Sequence, residues 1–141
     1  MIKTASYIRQ EYQKIYNNLE NHYGILMSPE FSLPSESELI DAIKRHSVKD
    51  MQYRDNIADC EKFAWYLVWG IQMERSFDPF NDGRTWAVGW INGIRGDILN
   101  RTSHTMCTAM TSDKGIVIID PMSDNISKPD PSYFDAYLFV M

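Results

Sequence analysis

An α+β fold is predicted by three observations on the 141-residue chain. Apolar residues recur at helical intervals through the first half. Aromatic and β-branched runs of strand length fill the second half, and a tight turn separates two of them. Apolar residues make up 44% of the chain against only 7 Gly and 6 Pro, enough for one buried core and too little loop composition for a disordered segment. The expected architecture is one domain over 1–141. Its N-terminal helices, within 1–50, and a further helix pack on a small antiparallel sheet within a core of 54–141.

In order along the chain, Ile8, Tyr12, Ile15, Tyr16 and Leu19 form one helical stripe, predicting a helix from about Ser6 to His22 that ends before Gly24. A loop with Pro29 and Pro34 follows. Ser35-Glu-Ser-Glu38 is a capping-box pattern that opens a second helix, with Leu39, Ile40 and Ile43 inward, ending near Ser47. Asp59 is a good N-cap for a third helix carrying Phe63, Ala64, Leu67, Val68 and Ile71, up to about Met73. Strands are predicted at Thr85–Ile91, His104–Met110, Ile116–Asp120 and Tyr133–Val140. The turn Ser112-Asp-Lys-Gly115 joins the middle two into an antiparallel hairpin.

Fourteen basic against nineteen acidic residues leave a net charge of −5, and no Lys/Arg run occurs. Nucleic-acid and anionic-membrane binding, which need clustered positive charge, are not expected. The N-terminus lacks the apolar run of a secretion signal, and the stretch Phe63–Met73 is about half the roughly 20 residues of a membrane span. A cytoplasmic location is expected, the host cytoplasm if the protein is viral. The sequons at Asn100 and Asn125 then have no consequence. Two cysteines, Cys60 and Cys107, are too few for a disulfide scaffold or a tetrahedral zinc site, and no cofactor or metal is expected.

Three residues carry a chemical possibility: Cys60 in the first turn of the third helix, His104 opening one hairpin strand and Asp120 ending its partner. Thiolates are stabilised by the positive end of a helix and by a neighbouring imidazolium. A histidine takes the thiol proton and returns it to the leaving group, while a carboxylate on its far nitrogen sets tautomer and angle. Counting outward from the turn brings His104 and Asp120 to the same open end, with a stagger of one or two residues. Cys107, three residues beyond His104, faces the opposite side of that strand and reads as core. His22 and His46 fall near helix C-termini, where capping accounts for them. Trp65, Trp69, Trp86 and Trp90 either line a substrate groove or pack; Trp86 and Trp90 share a strand face with Val88, which favours packing.

The blocks Asp59-Cys-Glu-Lys-Phe-Ala64, Ser103-His-Thr-Met106 and Gly115-Ile-Val-Ile-Ile-Asp-Pro-Met122 resemble the Cys, His and Asp/Glu blocks of the papain-like and transglutaminase-like thiol superfamily. Within it, they are similar to small phage and bacterial proteins akin to the cysteine-protease domain of the fairy-ring mushroom agglutinin. The resemblance covers about Arg54 to Ile126. It implies Cys60 as nucleophile, His104 as general base and acid, Asp120 as the residue orienting His104, and a papain-like core. Departures are Glu61 and Lys62 after the cysteine, Thr105 after the histidine, Cys107 where an amide is frequent, and Met122 where a Gln is frequent. An oxyanion donor beyond the Cys60 N–H is expected from Asn56 or Gln52. The resulting expectation is a thiol peptidase or isopeptidase acting on a protein or peptide. The alternatives are a silent papain-like protein that acts by binding a partner, or a transglutaminase or amidase of the same superfamily.

Overall fold

A computed structural model describes residues 1–20, 24–54, 59–95 and 103–141. Strand β1 (Ile2–Thr4) leads into α1 (Ala5–Ile15) and a 3-10 turn (Asn17–Glu20). Next come β2 (Gly24–Ile25), β3 (Glu30–Ser32), α2 (Glu36–His46) and α3 (Cys60–Phe77). The second half holds β4 (Val88–Arg95), β5 (Ser103–Thr111), β6 (Gly115–Asp120), β7 (Asn125–Ser127) and β8 (Phe134–Val140). The main sheet runs β2-β8-β4-β5-β6-β7; its β2 edge is parallel to β8, and every other pairing is antiparallel. A two-stranded β1–β3 ribbon stands apart.

Helices cover both faces of this sheet, and strand alternation sorts the side chains between them. Met106 and Met110 of β5 with Ile116 and Ile118 of β6 pack with α1 residues Ile8 and Tyr12 and with Phe139. Cys107 and Ala109 with Val117 and Ile119 face the other way, against Leu39 and Ile43 of α2 and Ala64, Leu67 and Ile71 of α3. The first core is crossed by one polar link. The Thr108 hydroxyl gives its single hydrogen to Val117 O at 3.0 Å, so Tyr12 Oη donates to Thr108 Oγ1 at 2.6 Å. The Tyr12 ring stacks on Phe139, centroids 4.5 Å apart.

The capping box of α2 forms as the sequence predicts, with Ser35 as N-cap, Glu38 bonding back to it and Ser47 as C-cap. The α1 helix stops at Ile15, short of the predicted His22. Tyr16 turns extended and buries its ring, and the 3-10 turn then places Leu19 in the same core. His22 lies outside the described residues. Helix α3 runs a turn past Met73, to Phe77, and the Asp78 N–H bonds Arg75 O at its end. Strand β4 is displaced from the predicted Thr85–Ile91 to Val88–Arg95 because Trp86 forms a bridge to Ser32 instead. The N-terminal strands β1 to β3 and the short β7 are too brief and too irregular in pattern to be read from sequence; β2 exists only because β8 offers it an edge.

Candidate active site

Cys60 is the first residue of α3 and is half-buried. Asp59 caps the helix, accepting from Lys62 N at 3.2 Å, and its second oxygen pairs with Lys62 Nζ at 3.2 Å. The cap bond from that N–H, then the lysine side chain, holds the Asp59 carboxyl below the usual carboxylate range. The Lys62 side chain is thereby folded back onto the cap.

Two anchors give the direction of α3 across the sheet. Gln72 Nε2 donates to Trp86 O and Val88 O at 3.0 and 2.9 Å, and Val88 pairs with Ala109. One stretch earlier on the helix, Ala64 O accepts from Cys107 Sγ at 3.5 Å. Passing from Gln72 to Ala64 thus moves from Ala109 toward the start of β5. One further turn, about 6 Å, leads to Cys60. The helix mouth and the first residues of β5, His104 among them, therefore occupy the same end of the sheet.

His104 is half-buried and pairs with Gly93 of β4. The β5–β6 register pairs Cys107 with Ile119, and one more step sets Met106 opposite Asp120, so His104 and Asp120 are staggered by two residues at the open end. Alternation assigns both to the face of Met106 and Ile118, across the sheet from α3, so a thiol on α3 meets them only around the end of the sheet. Asp120 also closes its own turn. Its carboxylate oxygens accept from Met122 N and Ser123 Oγ, each at 2.9 Å, and its carbonyl accepts from Asp124 N at 2.8 Å. Each carboxylate oxygen keeps acceptor capacity beyond these bonds.

The remaining sequence candidates divide cleanly. Cys107 is fully buried, and burial first, then the charge of Asp120, pushes its thiol pKa up, so it stays a protonated donor to Ala64 O. Gln52 is exposed and accepts from Arg54 Nη2 at 3.2 Å; Asn56 lies outside the described residues. No cluster of His, Cys, Asp or Glu suited to a metal ion occurs among the described residues, and no described helix is long and apolar enough to cross a membrane. His46 bonds Glu74, which also takes a two-point bond from Arg45, so it ties α2 to α3 rather than serving the site. Trp86 and Trp90 are partly buried against the second core. Trp65 and Trp69, by contrast, are 44% and 68% exposed on the outer side of α3. Gln72, which sequence reading passed over, was marked only by being the one amide in the apolar run Phe63–Met73.

No protein-family model and no curated protein matches the chain. Solved structures do match it. A complex of PSL1a with E64 aligns over 99% of this chain at a TM-score of 0.85 and 11% identity, covering 51% of that chain. Polyporus squamosus lectin bound to the human-type influenza-binding epitope Neu5Aca2-6Galb1-4GlcNAc aligns over 99% of this chain at 0.79 and 12% identity, covering 49% of that chain. The chain spans about half the length of the solved chains it matches. The likeness is one of fold: three helices packed on a largely antiparallel sheet in a papain-like arrangement.

Proposed function

We propose that the chain is a cysteine-dependent acyl-transfer enzyme, a thiol peptidase or isopeptidase, with Cys60 as nucleophile, His104 as base and acid and Asp120 as the residue orienting His104. The observation that carries the reading is the position of Cys60 at the mouth of α3, at the end of the sheet where β5 begins, within a papain-like fold. In this reading His104 takes the thiol proton as the sulfur attacks the carbonyl carbon. The first-position N–H of Cys60, which has no intrahelical acceptor, donates to the developing oxyanion. His104 then passes the proton to the departing amine as the C–N bond breaks, leaving a thioester. Water, deprotonated by His104, releases the acid and restores the thiol. With an amine as acceptor in place of water, the same cycle is a transglutaminase or amide transfer.

The test is alkylation by E64, the ligand named with PSL1a, or by iodoacetamide, followed by peptide mapping. One label is expected, on Cys60, absent in Cys60→Ala and slowed in His104→Ala, while Cys107 stays unmodified in the native protein. Labelling of Cys60 at the rate of an unstructured cysteine, unchanged in His104→Ala, would refute the catalytic reading. Adding hydroxylamine to a turning-over reaction separates the acceptors, since an amine transferase yields the hydroxamate. A second reading is favoured by one observation, the use of both Asp120 oxygens inside the 120–124 turn. It holds that the protein is a silent papain-like domain acting by binding a partner, and a Cys60→Ala variant with full biological effect supports it.

A further inference from the structure

The turn that carries Asp120 is fastened to α2 from outside. Asp124, at its far end, is the one non-glycine residue among those described with a left-handed backbone, φ 61°. That conformation brings its N–H onto Asp120 O at 2.8 Å and turns the chain back into β7, where Asn125 pairs with Asp120. The Asp124 side chain is 14% exposed and reaches across to α2. Its Oδ2 accepts from Oγ of Ser47, the C-cap of α2, at 2.5 Å, with Lys49 Nζ 3.6 Å away. Beside this link, Val48 and Ile126 pack on the same core, beneath α2 and α3. A turn shaped for stability alone favours Gly or Asn in this conformation. The aspartate is costlier. It carries backbone strain and sits at the end of a helix whose last carbonyls repel a carboxylate. Its Oδ1 is buried with no hydrogen-bond partner among the described residues.

We infer that Asp124 and Ser47 form a latch that positions Asp120: by holding the 120–124 turn against α2, they fix the direction of the Asp120 carboxylate toward His104. The inference rests on the catalytic reading above. The Asp120 carboxylate is aimed by bonds from Met122 N and Ser123 Oγ, both inside the turn, and those donors stay in place only while the turn keeps its shape. Asp124 sets that shape through its backbone, and Ser47 holds Asp124 from α2. That helix is itself tied to α3, the helix of Cys60, because Arg45 and His46 both bond Glu74. The latch therefore ties the acid of the triad to the element that carries its nucleophile. Asp124 touches neither substrate nor the reacting atoms; it acts through Asp120, where a small misalignment is enough to lose most of an oriented contact.

The test compares two alkylating agents on Cys60, Cys107 being fully buried. Iodoacetate is an anion drawn to a protonated imidazole beside the thiolate, whereas iodoacetamide is neutral, so the ratio of their rates falls as His104 loses its proton. A carboxylate aimed at the ring keeps that proton to higher pH. In the parent the ratio should fall with a midpoint that Asp120→Ala moves down and that is missing in His104→Ala. Asp124→Gly, which suits the left-handed turn, and Ser47→Ala, which keeps every charge, should each lower the midpoint by about half a pH unit or more. Asp124→Asn, which still accepts from Ser47, should hold it near the parental value. In an Asp120→Ala background neither change should move it further. An unmoved midpoint in Asp124→Gly and Ser47→Ala, even with a lowered melting temperature, overturns the latch and leaves the catalytic reading standing. So does an equal shift in Asp124→Asn, which traces the effect to charge, or a further shift in the Asp120→Ala background. A parent ratio as flat as that of His104→Ala overturns the catalytic reading and the latch together.

Discussion

Replacing Tyr12 by Phe removes a single oxygen from the centre of the α1-side core and should cost about 1–2 kcal/mol of stability. Tyr12 and Thr108 are both fully buried, so water replaces neither partner. The Tyr12 hydroxyl is the donor, because Thr108 spends its hydrogen on Val117 O. Burial holds the phenol protonated by raising its pKa, so the donor persists through the alkaline range. Phe at this position keeps the stack on Phe139 and leaves one lone pair of Thr108 unpaired. Thr108→Val is worse, about 2–3 kcal/mol, because it strands the buried Tyr12 donor and also loses the bond to Val117 O. The double variant should cost less than the two singles together, by about 1 kcal/mol, since the Tyr12 donor and the Thr108 acceptor that each single variant strands are then both gone. Urea unfolding of the four proteins, with a common slope, measures all three quantities. A Tyr12→Phe variant within about 0.3 kcal/mol of the parent, or strict additivity in the double, refutes the assigned donor chain.

Gly89→Ala should destabilise by about 3 kcal/mol or more, because a Cβ there would stand 1.9 Å from Val140 O, and neither β4 nor β8 can withdraw without breaking their ladder. Thermal unfolding reads this directly, and a Gly89→Ala variant with the parental midpoint would show that the C-terminal strand crosses β4 elsewhere. Glu38 gives a pH signature. Hydrogen bonds from Ser35, its backbone N–H first and then its hydroxyl, hold this carboxyl below its ordinary value. Its contribution is therefore complete above the unfolded carboxylate range and lost as pH falls through the folded value. Glu38→Gln should flatten part of the acid limb of a stability–pH curve and change little near neutrality; an unaltered acid limb counts against the capping box as its source.

Much of this protein is written locally. The α2 boundaries follow from Ser35 and Glu38, the start of α3 from Asp59 and the β5–β6 hairpin from Ser112 to Gly115, because caps and turns are chosen by neighbours a few residues apart. The unequal character of the two cysteines was legible for the same reason. Strand alternation sets Cys107 inward, and a helix start sets Cys60 at a mouth. The place where α1 stops was not, since a periodic stripe through Leu19 continues across the 3-10 turn that interrupts the helix. Nor was the shift of β4, which depends on Trp86 bridging Ser32, a residue far back in the chain.

The tertiary structure decided what no spacing encodes. The direction of α3 over the sheet, set by Gln72 on Val88 O and by Cys107 on Ala64 O, brings the Cys60 helix mouth to the His104 end of β5. The same crossing leaves Trp65 and Trp69 outside and opens a groove along Gln72. Sequence by itself determined which residues are chemically capable and which faces are apolar, because those are properties of side-chain type and period. Which capable residues share an end of the sheet, and which apolar face stays uncovered, depends on how helices cross strands distant in the chain, and only the packed fold fixes that.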